Sequence, residues 1–210
     1  AFPGVFKTGQ WVGNPLRQAF TQQAAPAERF AGRSGPLRVL VVGGSLGAKV
    51  LNDIVPQALA LMPQATRPTV IHQSGAKQID ALRANYEAAG VQAELTPFID
   101  DTASAFAQAD LVICRAGAST VTELAAVGVA AVFVPFPFAV DDHQTTNAQF
   151  LVASGGGWLV PQAELTAQNL AERLTALSRD TLQDVAQKAH AQKKTNATRE
   201  VVMACEELAA

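Results

Sequence analysis

The sequence predicts a doubly wound α/β fold, in which helices cover both faces of a six-stranded parallel sheet. Two observations predict it. Short apolar runs alternate with helical patterns along most of the chain, which is typical of strand–helix–strand units. The strand-like runs are also apolar throughout, as expected for strands that are buried on both faces. Right-handed crossovers between parallel strands then produce a doubly wound sheet.

Six strands and five intervening helices make up the predicted sheet, and three helices follow it. Strands are predicted at Leu37–Val42, Pro68–Gln73, Gln92–Leu95, Leu111–Cys114, Ala130–Val134 and Trp158–Val160. The intervening helices are predicted at Ala48–Leu61, Ala76–Ala89, Thr102–Ala107, Thr120–Val127 and Gln144–Ala153. The C-terminal helices are predicted near Thr166–Leu177, Thr181–Lys194 and Asn196–Leu208. We therefore expect residues 1–210 to form a single domain, with the sheet core at about 10–160 and helices at about 165–209.

Composition argues against several classes of function. The chain has 16 basic and 18 acidic residues, a net charge of −2, and no basic stripe, so nucleic acid is not an expected partner. Cys114 and Cys205 have no zinc-binding spacing, which fits a reducing cytoplasm. No apolar run reaches eighteen residues, so we expect no membrane insertion by this domain. Because the sequence lacks an initiator Met, we expect it to be part of a longer protein.

Candidate binding residues follow the predicted strands. In open parallel sheets, ligands bind beyond the carboxyl ends of the strands. The segments that lie there are Gly43–Ser45, Gln73–Gly75, Phe98–Asp101, Arg115–Glu123 and Pro135–Gln144. Most of them carry small or polar side chains, as a ligand site requires.

The most informative segment runs from Cys114 to Glu123, where a glycine turn precedes a helix that carries a carboxylate. The free N–H groups of a helix N-terminus bind anions, and a carboxylate accepts hydrogen bonds from a diol. Phosphate and ribose are two such groups, and a nucleotide presents both. The alternative is structural, because Thr120 to Glu123 also reads as a capping box.

A second glycine turn, Gly43–Ala48, allows three interpretations. Its glycines and the following helix could form an anion cradle, but the spacing fits neither a dinucleotide fingerprint nor a P-loop. Gly43-x-Ser45-x-Gly47 also matches the nucleophile elbow of α/β-hydrolases, with His143 and an aspartate in the required order. That aspartate would be Asp100, Asp101 or Asp110. In the third interpretation, Ser45 only caps its helix.

Three further positions are singled out. Asn14 and Pro15 read as the N-cap and first residue of a helix that follows a strand at Trp11–Val12. Arg17 then lies in the first turn, where a cation opposes the helix dipole, which suggests a nearby anion or a solvated side chain.

Around the last strand exits, the acidic pair Asp141 and Asp142 lacks a second cluster that could complete a metal site. N-capping is the expected role of Asp142. Gln144 carries a donor and an acceptor that could contact sugar hydroxyls. The side chains of Phe98 and Ile99 are expected to be buried, which leaves the Ile99 backbone free to pair with a base.

With these residues in view, the chain resembles the C-terminal half of the MurG family. These enzymes add N-acetylglucosamine to the lipid-linked muramyl-pentapeptide precursor of bacterial peptidoglycan. The matching segments are Gly13–Arg17, Gly43–Ala48, His72–Gly75, Phe98–Asp101, Cys114–Glu123, Val134–Phe136 and Asp142–Gln144 with Asn147–Ala148. The resemblance implies the Rossmann-like donor-binding half of a two-domain GT-B glycosyltransferase.

The resemblance also implies roles for individual residues. Glu123 would bind the ribose, the Ile99 backbone would face the uracil, and Gln144 would contact the sugar. Ser45 with the glycine turn, Arg17 and the start of the helix would hold the pyrophosphate. The implied donor site comprises Arg17, Gly43, Gly44, Ser45, Ile99, Ala118, Ser119, Thr120, Val121, Thr122, Glu123 and Gln144, with no catalytic residue, metal or cofactor.

The other expectations concern the full-length protein. The family places the acceptor site for lipid I, the membrane-docking patch and the proposed general base in an N-terminal domain, which is not within these residues. We therefore expect this chain to bind UDP-N-acetylglucosamine and to transfer nothing alone. The whole protein is expected at the cytoplasmic face of the inner membrane. A non-catalytic module that binds UDP-sugars remains a further alternative.

Overall fold

All six strands of the computed structural model lie in one parallel sheet, which confirms the predicted fold class. The structure describes residues 9–44 and 46–209. The strands are β1 Arg38–Val42, β2 Thr69–Gln73, β3 Glu94–Thr96, β4 Leu111–Cys114, β5 Ala130–Phe133 and β6 Gly157–Leu159, in the order β3-β2-β1-β4-β5-β6. The order reverses beside β1, so the exits of β1 and β4 flank the crevice at which ligands bind in such sheets.

Helices connect the strands and then continue to the end of the described chain. They are α1 Gln18–Thr21, α2 Pro26–Phe30, α3 Lys49–Leu61, α4 Ile79–Ala89, α5 Thr102–Gln108, α6 Ala118–Val127, α7 His143–Val152, α8 Ala167–Ala176, α9 Arg179–Ala191 and α10 Ala197–Ala209. Short 3-10 turns lie at Gln64–Thr66, Val140–Asp142 and Gln162–Glu164. None of the helices in residues 9–44 and 46–209 is both long and apolar enough to span a bilayer.

Two apolar layers hold the helices onto the sheet. Val39 and Val41 of β1 face a cluster that includes side chains of α3, α4 and α8, whereas Leu40 faces one that includes side chains of α5, α6 and α7. This alternation follows from the two-residue period of a strand. The central strands β4 and β5 are buried at every position and apolar throughout, which is why the sequence indicated them, whereas β2 also buries His72 and Gln73.

The region before β1 differs from its prediction. Residues 11 and 12 form no strand, and α1 begins at Gln18, so Asn14 and Pro15 are not the start of a helix. The short helices α1 and α2 were not predicted at all. At four and five residues, they are too short to show a helical period.

An arginine cluster occupies the edge of the sheet opposite the strand exits. Asp110, just before β4, is fully buried and pairs with Arg33 at 2.6 Å and with Arg179 at 3.2 Å. Its carboxylate also accepts from the backbone N–H of Arg38 at 2.9 Å. Arg29 donates to the carbonyl oxygens of Ala107, at 2.8 Å, and of Val127, at 2.9 Å, close to the ends of α5 and α6. These contacts connect α2 to elements that are distant in sequence.

Candidate functional site

The glycine turn after β1 is packed directly against the turn after β2. Gly47 has a φ of 75°, and a Cβ there would lie 2.2 Å from the carbonyl oxygen of Ser74. A Cβ at Gly75 would lie 2.5 Å from the Gly47 nitrogen. No side chain fits between the two backbones, so glycine is required at both positions. The predicted ligand Ser45 lies outside the described residues.

The first two N–H groups of this turn are already hydrogen-bonded within the protein. Gly43 donates to the backbone oxygen of Gln73 at 3.2 Å. Gly44 donates to the side-chain oxygen of Gln73 at 3.1 Å. The turn therefore offers a ligand close backbone approach and the positive end of α3, but not these two donors.

The N-terminus of α6 provides donors that the helix itself does not use. Its N-cap, Gly117, has no side-chain capping bond, and the first intrahelical bond runs from Val121 to Gly117 at 3.0 Å. The N–H groups of Ala118, Ser119 and Thr120 therefore have no acceptor within the helix. The expected capping box is wrong, because α6 begins two residues before Thr120 and Glu123 lies inside the helix.

Arg17 and Glu123 lie close enough to influence each other electrostatically. Glu123 is half-buried, and this burial raises the pKa of its carboxyl, while the positive charge of Arg17 acts to lower it. Arg17 also stacks over the ring of Phe20 at 5.0 Å. The charges of Arg17 and Glu123 therefore lie near each other at α6.

Asn14 holds the Arg17 segment against α6. Its side-chain NH2 donates to the Thr122 hydroxyl at 3.0 Å and to the Ala118 carbonyl at 3.4 Å. Asn14 therefore acts across 104 and 108 positions of sequence rather than as a local helix cap. The predicted role of Asn14 was that of a helix N-cap, and nothing in the neighbouring sequence indicates the long-range contact.

The loop after β3 borders the same cleft. Asp101 caps α5 by accepting from the backbone N–H of Ser104 at 3.0 Å and from its hydroxyl at 2.6 Å. These bonds lower the pKa of Asp101, and the charge of Arg17 contributes in the same direction. Ile99 is partly buried. Phe98 is 62% exposed, so the expectation of a buried ring is wrong.

Gln144, at the start of α7, is oriented by two backbone groups. Its side-chain oxygen accepts from the N–H of Phe136 at 2.9 Å and from the N–H of Ala116 at 3.3 Å. This pairing fixes the amide, and its NH2 has no acceptor among the residues that the structure describes. Gln144 is therefore available as a hydrogen-bond donor, next to the loop that leads into α6.

Asp142 occupies the predicted N-cap position of α7 but makes no capping bond. Its backbone is left-handed, with a φ of 49°, and its carboxylate accepts instead from the hydroxyl of Thr145 at 2.7 Å. Within residues 9–44 and 46–209, no group of three or more potential metal ligands is found.

A buried amide joins two loops of the site, and although Gln73 stands in one of the segments singled out at the strand exits, this connecting role was not predicted. The Gln73 side chain, only 4% exposed, donates to the Gly44 carbonyl at 3.1 Å and to the Pro97 carbonyl at 2.9 Å. Together with its acceptor bond to Gly44, it connects the turn after β1 to the loop after β3. A glutamine as the last residue of a predicted buried strand was the available signal, since buried polar side chains are normally hydrogen-bonded.

The strand order and the parallel sheet define a Rossmann-like domain. Residues 38–202 match the model of the glycosyltransferase family 28 C-terminal domain. The chain belongs to this family.

Individual relatives agree with this assignment. The chain is 70% identical over its full length to a Paracidovorax citrulli protein named UDP-N-acetylglucosamine--N-acetylmuramyl-(pentapeptide) pyrophosphoryl-undecaprenol N-acetylglucosamine transferase, of which it covers 59%. The crystal structure of Acinetobacter baumannii MurG has 40% identity and a TM-score of 0.87 over 99% of this chain and 59% of that one. An Anabaena protein crystallised with UDP and glucose shares the fold alone, at 17% identity and a TM-score of 0.65 over 94% of this chain and 55% of that one.

The family assignment overturns the hydrolase alternative. A serine hydrolase of that kind would need His143 and one of the three candidate aspartates to act together. Asp110, one of the three, lies at the edge opposite the strand exits, paired with Arg33 and Arg179. The chain spans about three fifths of the length of the relatives described above.

Proposed function

We propose that this chain is the donor-binding domain of an inverting glycosyltransferase that transfers N-acetylglucosamine from UDP-N-acetylglucosamine to lipid I, forming lipid II. The observation that carries the proposal is the 70% identity, over the whole chain, to a relative named for that transfer. The 40% identity to A. baumannii MurG supports it independently. We further propose that the acceptor is bound by the part of the relatives' length that this chain does not cover.

The donor would lie across the crevice between the exits of β1 and β4. Its diphosphate would meet the free N–H groups at the start of α6, the positive end of α3 and the guanidinium of Arg17. Glu123 would accept from the ribose hydroxyls, and the loop that contains Ile99 would border the uracil. Of the remaining predicted ligands, Gly43, Gly44 and Ser45 belong in sequence to the turn after β1, and Val121 and Thr122 belong to α6.

Gln144 would contact the sugar as a donor. Because the protein already uses the side-chain oxygen of Gln144, only its NH2 can reach a ligand. The proposed partner is therefore a sugar hydroxyl acting as acceptor, and a sugar with that hydroxyl reversed would lose the bond.

In the proposed reaction, the acceptor hydroxyl attacks the anomeric carbon of N-acetylglucosamine, and the bond from that carbon to the diphosphate oxygen breaks. The bonding electron pair leaves with UDP, so negative charge develops on the diphosphate. Arg17 and the N-termini of α3 and α6 would stabilise this charge. The general base that takes the acceptor proton would come from outside this chain, which would function at the cytoplasmic face of the inner membrane.

Calorimetry on the chain tests the donor-binding role. We expect UDP to bind more tightly than UMP, and UDP-N-acetylglucosamine more tightly than UDP-glucose. Glu123→Ala should weaken UDP binding by about 1 to 3 kcal/mol, since it removes a charge-assisted acceptor. Glu87→Ala, which removes an exposed glutamate of α4, is the matched control. Equal affinity of the wild-type chain for UDP and UMP, or none for either, would refute the assignment.

The transferase role has a separate test. The chain alone should give no lipid II from lipid I, and turnover should appear when residues 1–210 are joined to the remaining part of a close relative. Binding of UDP-N-acetylglucosamine without turnover in that joined protein would favour the non-catalytic module instead.

A further inference from the structure

We infer that Gln73 is a positioning residue, which sets the separation between the glycine turn after β1 and the loop after β3. The inference rests on the proposed function, because those two segments are the ones assigned to the diphosphate and the base. It adds a residue that would touch neither part of the ligand but would make their simultaneous binding possible.

The hydrogen bonds of Gln73 carry the argument. The side-chain oxygen accepts from Gly44 at 3.1 Å, and the side-chain nitrogen donates both to Gly44 at 3.1 Å and to Pro97 at 2.9 Å. One planar amide thus uses its acceptor and both donor hydrogens on two different loops. Gln73 itself is only 4% exposed, whereas Gly44 and Pro97 are exposed residues. Losing the amide would therefore remove a buried connection between two segments that otherwise lie at the surface.

No other contact described between these loops fixes them in the same way. The strand pairing of β2 with β1 and β3 ends at Gln73. Beyond it, the turn after β2 packs against the turn after β1. Ser74 donates its backbone N–H to Thr96 at 3.0 Å, which is still one residue before the loop at Pro97. The side chain of Gln73 therefore connects the end of the sheet to both segments of the site.

A second set of hydrogen bonds holds the other side of the glycine turn, and it differs from that of Gln73 in the segments that it connects. Gln78 donates to the Leu46 carbonyl at 2.9 Å, and Asn52 donates to Gln78 at 2.9 Å. These two hydrogen bonds connect the glycine turn to α3 and to the start of α4, but not to the loop after β3. Loss of Gln78 should therefore loosen the turn alone, whereas loss of Gln73 should uncouple the turn from the loop.

Without the Gln73 amide, the site should no longer bind the base and the diphosphate of one nucleotide in the correct separation. Gln73→Met keeps the length of the side chain and removes all three hydrogen bonds. UDP occupies both segments fully, whereas UMP lacks the second phosphate. In Gln73→Met, the Kd for UDP should rise about tenfold and the Kd for UMP by less than about threefold, for the loss of bonds of ordinary strength. The preference for UDP, measured as the Kd for UMP divided by the Kd for UDP, should therefore fall.

Calorimetry with UDP and UMP on the wild-type chain and on Gln73→Met tests this directly, with the unfolding midpoint measured on the same samples. Gln73→Glu is the conservative variant. It keeps an acceptor for Gly44 but lacks the two donors, so it should behave like Gln73→Met at neutral pH. Val185→Ala, in the apolar core under α9, is the control for lowered stability without a change at the loops.

The outcomes separate this inference from the proposed function. If the wild-type chain does not bind UDP, the proposed function fails. If it binds UDP and Gln73→Met lowers only the unfolding midpoint, as Val185→Ala should, then Gln73 is structural and the inference is wrong. An equal rise in both dissociation constants would also overturn it, because a shared loss shows no coupling between the two ends.

Discussion

The buried histidine of β2 should make this domain sensitive to acid. His72 is fully buried, with its Nδ1 3.0 Å from the Tyr86 hydroxyl and its Nε2 3.1 Å from the Asn52 side-chain oxygen. Since that oxygen can only accept, Nε2 carries the proton, and Nδ1 accepts from Tyr86. Burial lowers the pKa of His72 to about 3 from its usual 6.5.

The sign and size of the effect follow from this depressed pKa. Below pH 6.5 the unfolded chain gains a proton on His72 and the folded chain does not, so stability is lost as the pH falls towards 3. Each pH unit costs about 1.4 kcal/mol, so the free energy of unfolding should drop by about 3 kcal/mol between pH 7 and pH 4.5. His190, whose pKa is also lowered, mainly by burial, adds a contribution of the same sign.

Urea unfolding at pH 7, 5.5 and 4.5 measures this dependence, and Trp11 and Trp158 provide the fluorescence signal. His72→Gln, which cannot gain a proton, should be less stable at pH 7 but should lose about 3 kcal/mol less on acidification. His190→Gln serves as the comparison for a partly buried histidine. Parallel pH curves for the wild-type chain and His72→Gln would refute the reasoning, since His72 would then be protonated equally in both states.

Three other substitutions test the site. Arg17→Met should weaken UDP binding about tenfold by removing a charge-assisted contact, whereas Arg83→Met on exposed α4 should not; equal effects in calorimetry would contradict this. Glu123→Gln should not lower stability at pH 8, because burial raises the pKa of Glu123 and so disfavours the ionised form in the folded state; a lowered melting temperature would contradict it. Gly47→Ala should lower the free energy of unfolding by more than about 2 kcal/mol. Gly90→Ala should lower it by about 1 kcal/mol, because Gly90 also has a positive φ, 63°, but no atom lies within 4 Å of the added Cβ. Equal losses in urea unfolding would argue against the tight contact at Gly47.

The sheet was predictable because its strands and helices show in short stretches of neighbouring residues. The central strands β1, β4 and β5 are buried on both faces, so residues 39–42, 111–114 and 130–133 appear as unbroken apolar runs, and the helices between the strands show their period. The predicted strand and helix ends differ from the structure by a few residues. The start of α6 was missed because its N-cap is Gly117, which has no side chain to signal a cap.

The parts that were not predictable depend on residues far apart in the chain. Asp110 looked like a possible active-site acid, and only its pairing with Arg33 and Arg179, 77 and 69 positions away, identifies it as a buried structural charge. The contact from Asn14 to Thr122 has the same character. By contrast, the strand exits could be located at once, because the carboxyl ends of parallel strands meet at one edge.

The arginine cluster acts on two helices whose other ends lie at the strand exits. Arg29 and Arg33 place their guanidinium groups on the carbonyl oxygens close to the ends of α5 and α6, and so offset the negative ends of both helix dipoles. At the opposite edge, the N-terminus of α5 is capped by the Asp101 carboxylate, whereas the N-terminus of α6 has no capping side chain. The positive end of α6 therefore stays available to an anion, and the association rate of such an anion should decrease as ionic strength rises.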